Sequence, residues 1–109
     1  MIVAFSVSPS AVDDTGGVSA AVAAAVRIVR ESGLPNETSS MFTSIEGEWD
    51  EVMEVVKRAV AAVSEASPRT SLVLKADIRP GFTGQLTAKV ARVEERLRAQ
   101  SVEDGQPNC

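Results

Sequence analysis

The residues whose types and placing could do chemistry in this chain are hydroxyls and carboxylates. The sequence has no histidine, and its one cysteine, Cys109, stands at the very end. Ser-His and Cys-His nucleophilic sites, His-ligated zinc and thiolate clusters are thereby excluded. What remains is a group of small hydroxyls, Ser6, Ser8 and Thr43, and two carboxylates in unusual places. Glu46 precedes Gly47 at a strand-to-helix junction, a position that often lines a pocket. Asp77 falls in the middle of a strand, where aspartate is disfavoured. Hydroxyls both donate and accept hydrogen bonds, and a carboxylate accepts from an amine. Three hydroxyls beside an alanine-rich helix can line a small polar-edged cavity. Each group also has a structural reading: Asp77 can pair across strands with Lys75 or Arg79, and a strand-end Glu46 can serve packing alone. Glu48, Asp50 and Glu51 read as favourable charge on the first turn of a helix. The run Glu46–Glu51 lacks the ligand pattern of a calcium loop, so no metal site is expected. Two acids without a base, nucleophile or metal set define no reaction, and no catalytic residue is assigned.

The elements that would position these residues follow from periodicity. With 109 residues the chain is one domain's worth of sequence. Residues 2–8 read as a strand, with Val3, Phe5 and Val7 on one face and Ile2, Ala4, Ser6 and Ser8 on the other. Pro9 to Gly17 reads as a loop. A helix is expected from about Val18 to Ser32, striped by Val18, Val22, Val26 and Val29, thin elsewhere because of its alanines, and ended by Gly33. Asn36 to Glu46 reads as a strand pair turning at Ser39-Ser40. In it Met41, Thr43 and Ile45 alternate with Phe42, Ser44 and Glu46. The next helix opens near Glu48, with Trp49, Val52, Met53, Val56, Val60 and Val63 as its buried stripe and Lys57 and Arg58 in solvent. Ser71 to Arg79 is the strongest strand, with Leu72, Leu74, Ala76 and Ile78 on its apolar face. A last helix spans about Gly84 to Gln100, striped by Leu86, Val90, Val93 and Leu97. Residues 101–109 read as a flexible tail beyond a domain of residues 1–100.

The order is βαββαβ with one added helix. That is the ferredoxin-like α+β sandwich: a four-stranded antiparallel sheet, helices on one face, and here a C-terminal helix as well. The other sheet face would be bare in a monomer, exposing Val3, Phe5, Val7 and Phe42 or their alternating neighbours. Self-association through that face is therefore expected.

Several function classes drop out. A formal charge of −4 argues against sequence-independent nucleic-acid binding. No G-x-x-x-x-G-K-[ST] or G-x-G-x-x-G is present to cradle a phosphate. The metal-chaperone users of this fold need a C-x-x-C pair, which is absent. No membrane-length apolar run and no targeting signal are visible. Cys109 reads as a free thiol, which fits the cytoplasm.

Three segments together carry a resemblance. They are Phe5-Ser6-Val7-Ser8-Pro9, then Met41-Phe42-Thr43-Ser44-Ile45-Glu46-Gly47-Glu48 leading into Trp49-Asp50-Glu51-Val52, and finally Leu74-Lys75-Ala76-Asp77-Ile78-Arg79. In these the chain resembles the small thiamine-binding protein family over roughly residues 1–98. The T-x-[aliphatic]-E-G-E segment is the most specific part. The resemblance implies a ferredoxin-like fold, binding of thiamine or its hydroxymethylpyrimidine half, assembly into dimers and tetramers, and neither catalysis nor a cofactor. The ligand-binding residues it implies are Ser6, Ser8, Met41, Thr43, Glu46 and Asp77. The competing expectation is an oligomeric interaction or regulatory subunit that binds another small metabolite or none.

Overall fold

The computed structural model describes residues 1–10 and 18–103. Seven elements follow in order: β1 (Ile2–Pro9), α1 (Val18–Glu31), β2 (Asn36–Thr38), β3 (Thr43–Glu46), α2 (Trp49–Ser64), β4 (Thr70–Asp77) and α3 (Gln85–Glu103). The sheet order is β2-β3-β1-β4, with every neighbouring pair antiparallel. This is the ferredoxin-like arrangement expected from the element order. Helix α3 runs three residues past Gln100. The rest of the expected tail, with Cys109, and the Asp13-Asp14 and Gly16-Gly17 part of the first loop lie outside the described residues.

Strand β1 is the spine of the sheet. Val3, Phe5 and Val7 are buried in one core with α1 and α2. Their face continues across the register, Val3 opposite Ile45 and Ala76, Phe5 opposite Thr43 and Leu74. The helices thus cover the Val3-Phe5-Val7 face, and the other face presents the alternating neighbours Ile2, Ala4, Ser6 and Ser8. Helix α2 closes the core with Val52, Val55, Val56, Ala59 and Val63.

Two helical stripes differ from expectation, and each difference has a steric cause. On α1 the buried positions are Ala21, Ala25 and Val29, while Val22 is exposed. Alanine brings a helix closer to the sheet than valine can, so Ala21 and Ala25 take the packed face beside Val29, and Val22 and Val26 are left at its border. On α2 Trp49 is 55% exposed rather than buried. It is the first helical residue, and the packed stripe begins one turn later at Val52. The N–H of Glu48 donates to the Glu51 side chain at 3.2 Å, which ties down that first turn.

The edges are also more open than the apolar pattern suggests. Strand β4 lies at the sheet edge, with Leu74 and Ala76 half-buried, Leu72 and Val73 exposed, and Ile78 beyond the strand end. On α3 only the start of the stripe, Leu86, is half-buried. Val90, Val93 and Leu97 each remain more than half exposed. Gly33 ends α1 at φ +80°, a conformation that suits glycine at a helix C-terminus. Gly47 has a packing reason: a Cβ there would lie 3.2 Å from Val52 Cγ2 and 3.3 Å from Leu34 Cδ1.

Candidate functional site

A mismatch in strand length creates a cleft. Strand β3 begins at Thr43, opposite Phe5, whereas β1 runs on to Pro9 paired only with β4. Beyond Phe5 the β1 edge therefore has no strand partner on its β3 side. The β2–β3 turn folds beside that edge. It is closed by the Ser39 N–H donating to the Phe42 carbonyl at 2.8 Å and by the Ser39 hydroxyl, which donates to the same carbonyl at 3.0 Å. Helix α1 forms the remaining wall with Val22, Ala25 and Val26. The result is a cleft of about 220 Å³ lined also by Ser6, Ser8, Met41, Phe42 and Thr43.

Four of the six sequence-predicted residues meet here. Thr43 shares the inner face with its neighbour Phe5 and is buried. Ser6 and Ser8 belong to the opposite face of β1 by strand alternation and are half-buried. The hydroxyls thus approach the cleft from two sides of the sheet. Met41 is largely exposed at the rim. Sequence reasoning took Ser39-Ser40 as a turn and placed Phe42 in the strand alternation. Their place in the lining follows from the antiparallel register, which folds the β2–β3 turn beside Ser6 and Ser8.

Glu46 and Asp77 lie elsewhere. Both are paired with Ile2 at the start of β1. Ser6 is four residues further along, about 13 Å at strand rise. The two carboxylates border a separate cleft of about 260 Å³ with Met1, Ile2, Arg79, Phe82 and Gln85. Glu46 is only 5% exposed. Its Oε2 accepts from the Gln85 N–H at 2.9 Å and its Oε1 from the Leu86 N–H at 3.1 Å. It therefore caps the first turn of α3, satisfying two of the donors a helix start leaves unpaired. A single nook holding hydroxyls and carboxylates together is not what forms: the sheet separates them end from end. Among the described residues no group of three or more acids, cysteines or histidines could hold a metal ion. No helix there is long and apolar enough to cross a membrane.

Comparison with known proteins places this geometry in a lineage. Residues 3–94 match the family model described as thiamine-binding protein. The chain belongs to the thiamine-binding protein family. A UPF0045 protein of Mycobacterium bovis is 55% identical over 98 residues, covering 89% of this chain and 94% of the relative. A domain of unknown function from Bacillus cereus is 34% identical and superposes with a TM-score of 0.66, covering 74% of this chain and 77% of that one. A Thermotoga maritima structure, described as a candidate thiamine biosynthesis/salvage protein, has a TM-score of 0.68 at 23% identity. It covers 83% of this chain and 96% of its own, and it shares the fold. The family match runs from Val3 in β1 to Glu94 in α3, and so includes every residue of the hydroxyl cleft but not Met1 and Ile2 of the other.

Proposed function

We propose that the protein is a non-catalytic binder of thiamine (vitamin B1) or its hydroxymethylpyrimidine half, and that the ligand lies in the cleft of Ser6, Ser8, Met41 and Thr43. The observation that carries this reading is an open, hydroxyl-edged cleft between helix and sheet in a chain of the thiamine-binding family. An aminopyrimidine offers ring-nitrogen acceptors and an amine donor, and hydroxyls answer both. Phe42, Val22 and Val26 supply the apolar walls a flat ring needs. A volume of about 220 Å³ is below the range typical for drug-sized ligands. It suits the single pyrimidine ring, with the thiazolium of the intact vitamin directed outward. Glu46 and Asp77 contribute through the acidic field rather than by contact.

The functional form we propose is a homodimer or homotetramer in the cytoplasm. Exposed Val73 on the bare sheet face and Val90, Val93 and Leu97 on α3 support self-association. Native mass spectrometry reads the assembly. Calorimetry and thermal unfolding with thiamine, hydroxymethylpyrimidine and thiamine phosphates test the ligand. At one hundred times Kd a ligand should add about 2.7 kcal/mol of stability. Absence of any shift at millimolar concentration would defeat the reading.

A further inference from the structure

The hydroxyl cleft is edged by main chain as well as by side chains. Just before β1, Met1 and Gly47 exchange both backbone bonds. The Gly47 N–H donates to the Met1 carbonyl at 3.1 Å, and the Met1 amino group donates to the Gly47 carbonyl at 3.0 Å. Antiparallel partners alternate between bonded and non-bonded pairs, so Val3 and Phe5 turn their N–H and carbonyl toward Ile45 and Thr43 of β3. The even-numbered residues turn toward β4, as the Ser10 N–H just past the strand does by donating to the Arg69 carbonyl at 2.9 Å. Val7 is the next residue of the β3-facing set, and it lines the cleft. Continued register would bring Met41 opposite Val7, but Met41 belongs to the β2–β3 turn and is 73% exposed. Among the described residues neither that turn nor α1 bonds to the Val7 N–H or carbonyl. We propose that the Val7 main chain is the specificity-determining contact of this cleft. Its N–H donates to the pyrimidine ring nitrogen beside the amine, and its carbonyl accepts from that amine. The assignment rests on the pyrimidine-binding reading above.

An aminopyrimidine edge presents an acceptor and a donor side by side, as a strand residue does. The ring thus adds one rung to the β1–β3 ladder, beyond Phe5 and Thr43. Two observations favour a small ring over an added peptide strand. The next residue on the same edge is Pro9, which has no N–H, so a strand would find no second donor there. Val7 is also only 7% exposed, and a main-chain pair so nearly buried needs a partner that fits the cleft. The polarity of β1 then fixes the direction of the ring. The Val7 N–H lies toward Phe5 and its carbonyl toward Pro9. The ring nitrogen therefore sits at the Thr43 end of the cleft and the amine at the Pro9 end. The hydroxymethyl arm, next to the amine, points along β1 away from Thr43. In the intact vitamin the thiazolium hangs from that arm, so it leaves on the side where β3 has ended.

The test follows the Val7 amide by NMR on the full chain, with hydroxymethylpyrimidine isotopically labelled at its nitrogens, while calorimetry reads the affinity. Binding should slow hydrogen exchange at Val7 and produce a scalar coupling between the Val7 nitrogen and the ring nitrogen. The Phe5 and Ser6 N–H groups, already facing β3 and β4, should change far less. An analogue with hydrogen in place of the amine should bind about tenfold more weakly, because it leaves the Val7 carbonyl unpaired. Conversion of the Ser6–Val7 amide to an ester by semisynthesis keeps the valine side chain and removes only the N–H. It should weaken hydroxymethylpyrimidine by a similar factor. The ester chain is checked for folding by its unfolding transition, and the measurements on the natural chain need no such check. The proposal is overturned if calorimetry shows pyrimidine binding while Val7 gains neither protection nor the coupling, a result that the binding function itself survives. It is equally overturned if the analogue without the amine binds as tightly as hydroxymethylpyrimidine. If no pyrimidine binds at all, the binding function fails and the Val7 contact fails with it.

Discussion

The two ends of β1 use polar residues in opposite ways. At its start, Ile2 lies between Glu46 and Asp77, and the Glu46 carboxylate is spent on two backbone donors of a helix 39 and 40 residues away. At its far end, β3 has already stopped, and Ser6 and Ser8 run on past Thr43 beside an open cleft. A buried charge has to be satisfied by the fold or the fold does not form. A hydroxyl at the mouth of a cleft can wait for water or a ligand. The comparison teaches that the more conspicuous side chain is already engaged by the fold, whereas the modest ones line the open cleft in which we propose the ligand lies.

The largest effect that would break this contrast comes from Glu46→Ala. Two N–H groups at the start of α3 lose a charged acceptor, which should lower unfolding stability by about 2–3 kcal/mol. Urea unfolding measures it, and hydrogen exchange should accelerate at Gln85 and Leu86 first. Pyrimidine affinity should survive in the folded protein; a tenfold loss would mean the ends are not independent. Thr43→Val should do the reverse. Removal of a hydroxyl placed against the ligand should weaken binding by about 1–3 kcal/mol. Calorimetry reads that loss, and the melting temperature of the free protein should move far less than in Glu46→Ala.

Much of this was legible in the sequence because period and punctuation agree. The alternation of Val3, Phe5 and Val7, the stop at Gly33, and the junction at Glu46-Gly47-Glu48 each constrain one backbone state, and together they specify the ferredoxin-like order. The four cleft residues Ser6, Ser8, Met41 and Thr43 were legible too, through the family resemblance. What stayed hidden is anything set by where one element ends relative to another. Nothing local says that β3 stops opposite Phe5, so the unpaired β1 edge is invisible in the string. Glu46 was singled out for its type and junction, yet its partners are Gln85 and Leu86, a contact that periodicity does not encode. Val29 packs as its place in the stripe says, but Val22 misled for a related reason: hydrophobicity ranks valine above alanine, while close approach of helix to sheet selects Ala21 and Ala25.

Gly47→Ala sharpens the comparison at smaller scale, because the glycine links Glu46 to α2. The added methyl meets Val52 and Leu34 at 3.2 and 3.3 Å, contacts that need a few tenths of an ångström of adjustment. A loss of about 1 kcal/mol is expected, the low end for overpacking. It should appear in unfolding stability and leave pyrimidine affinity intact.

The smallest expected effect is optical and sits at Trp49, the one tryptophan in the chain. Its ring is half exposed in the recess shared with Arg79 and Phe82, at the carboxylate end. Hydroxymethylpyrimidine bound among Ser6, Ser8 and Thr43 lies the length of β1 away, so Trp49 emission should stay within a few per cent of its free value. If the pyrimidine shifted Trp49 strongly, the sheet would be transmitting between its ends, and the division of labour along β1 would have to be given up.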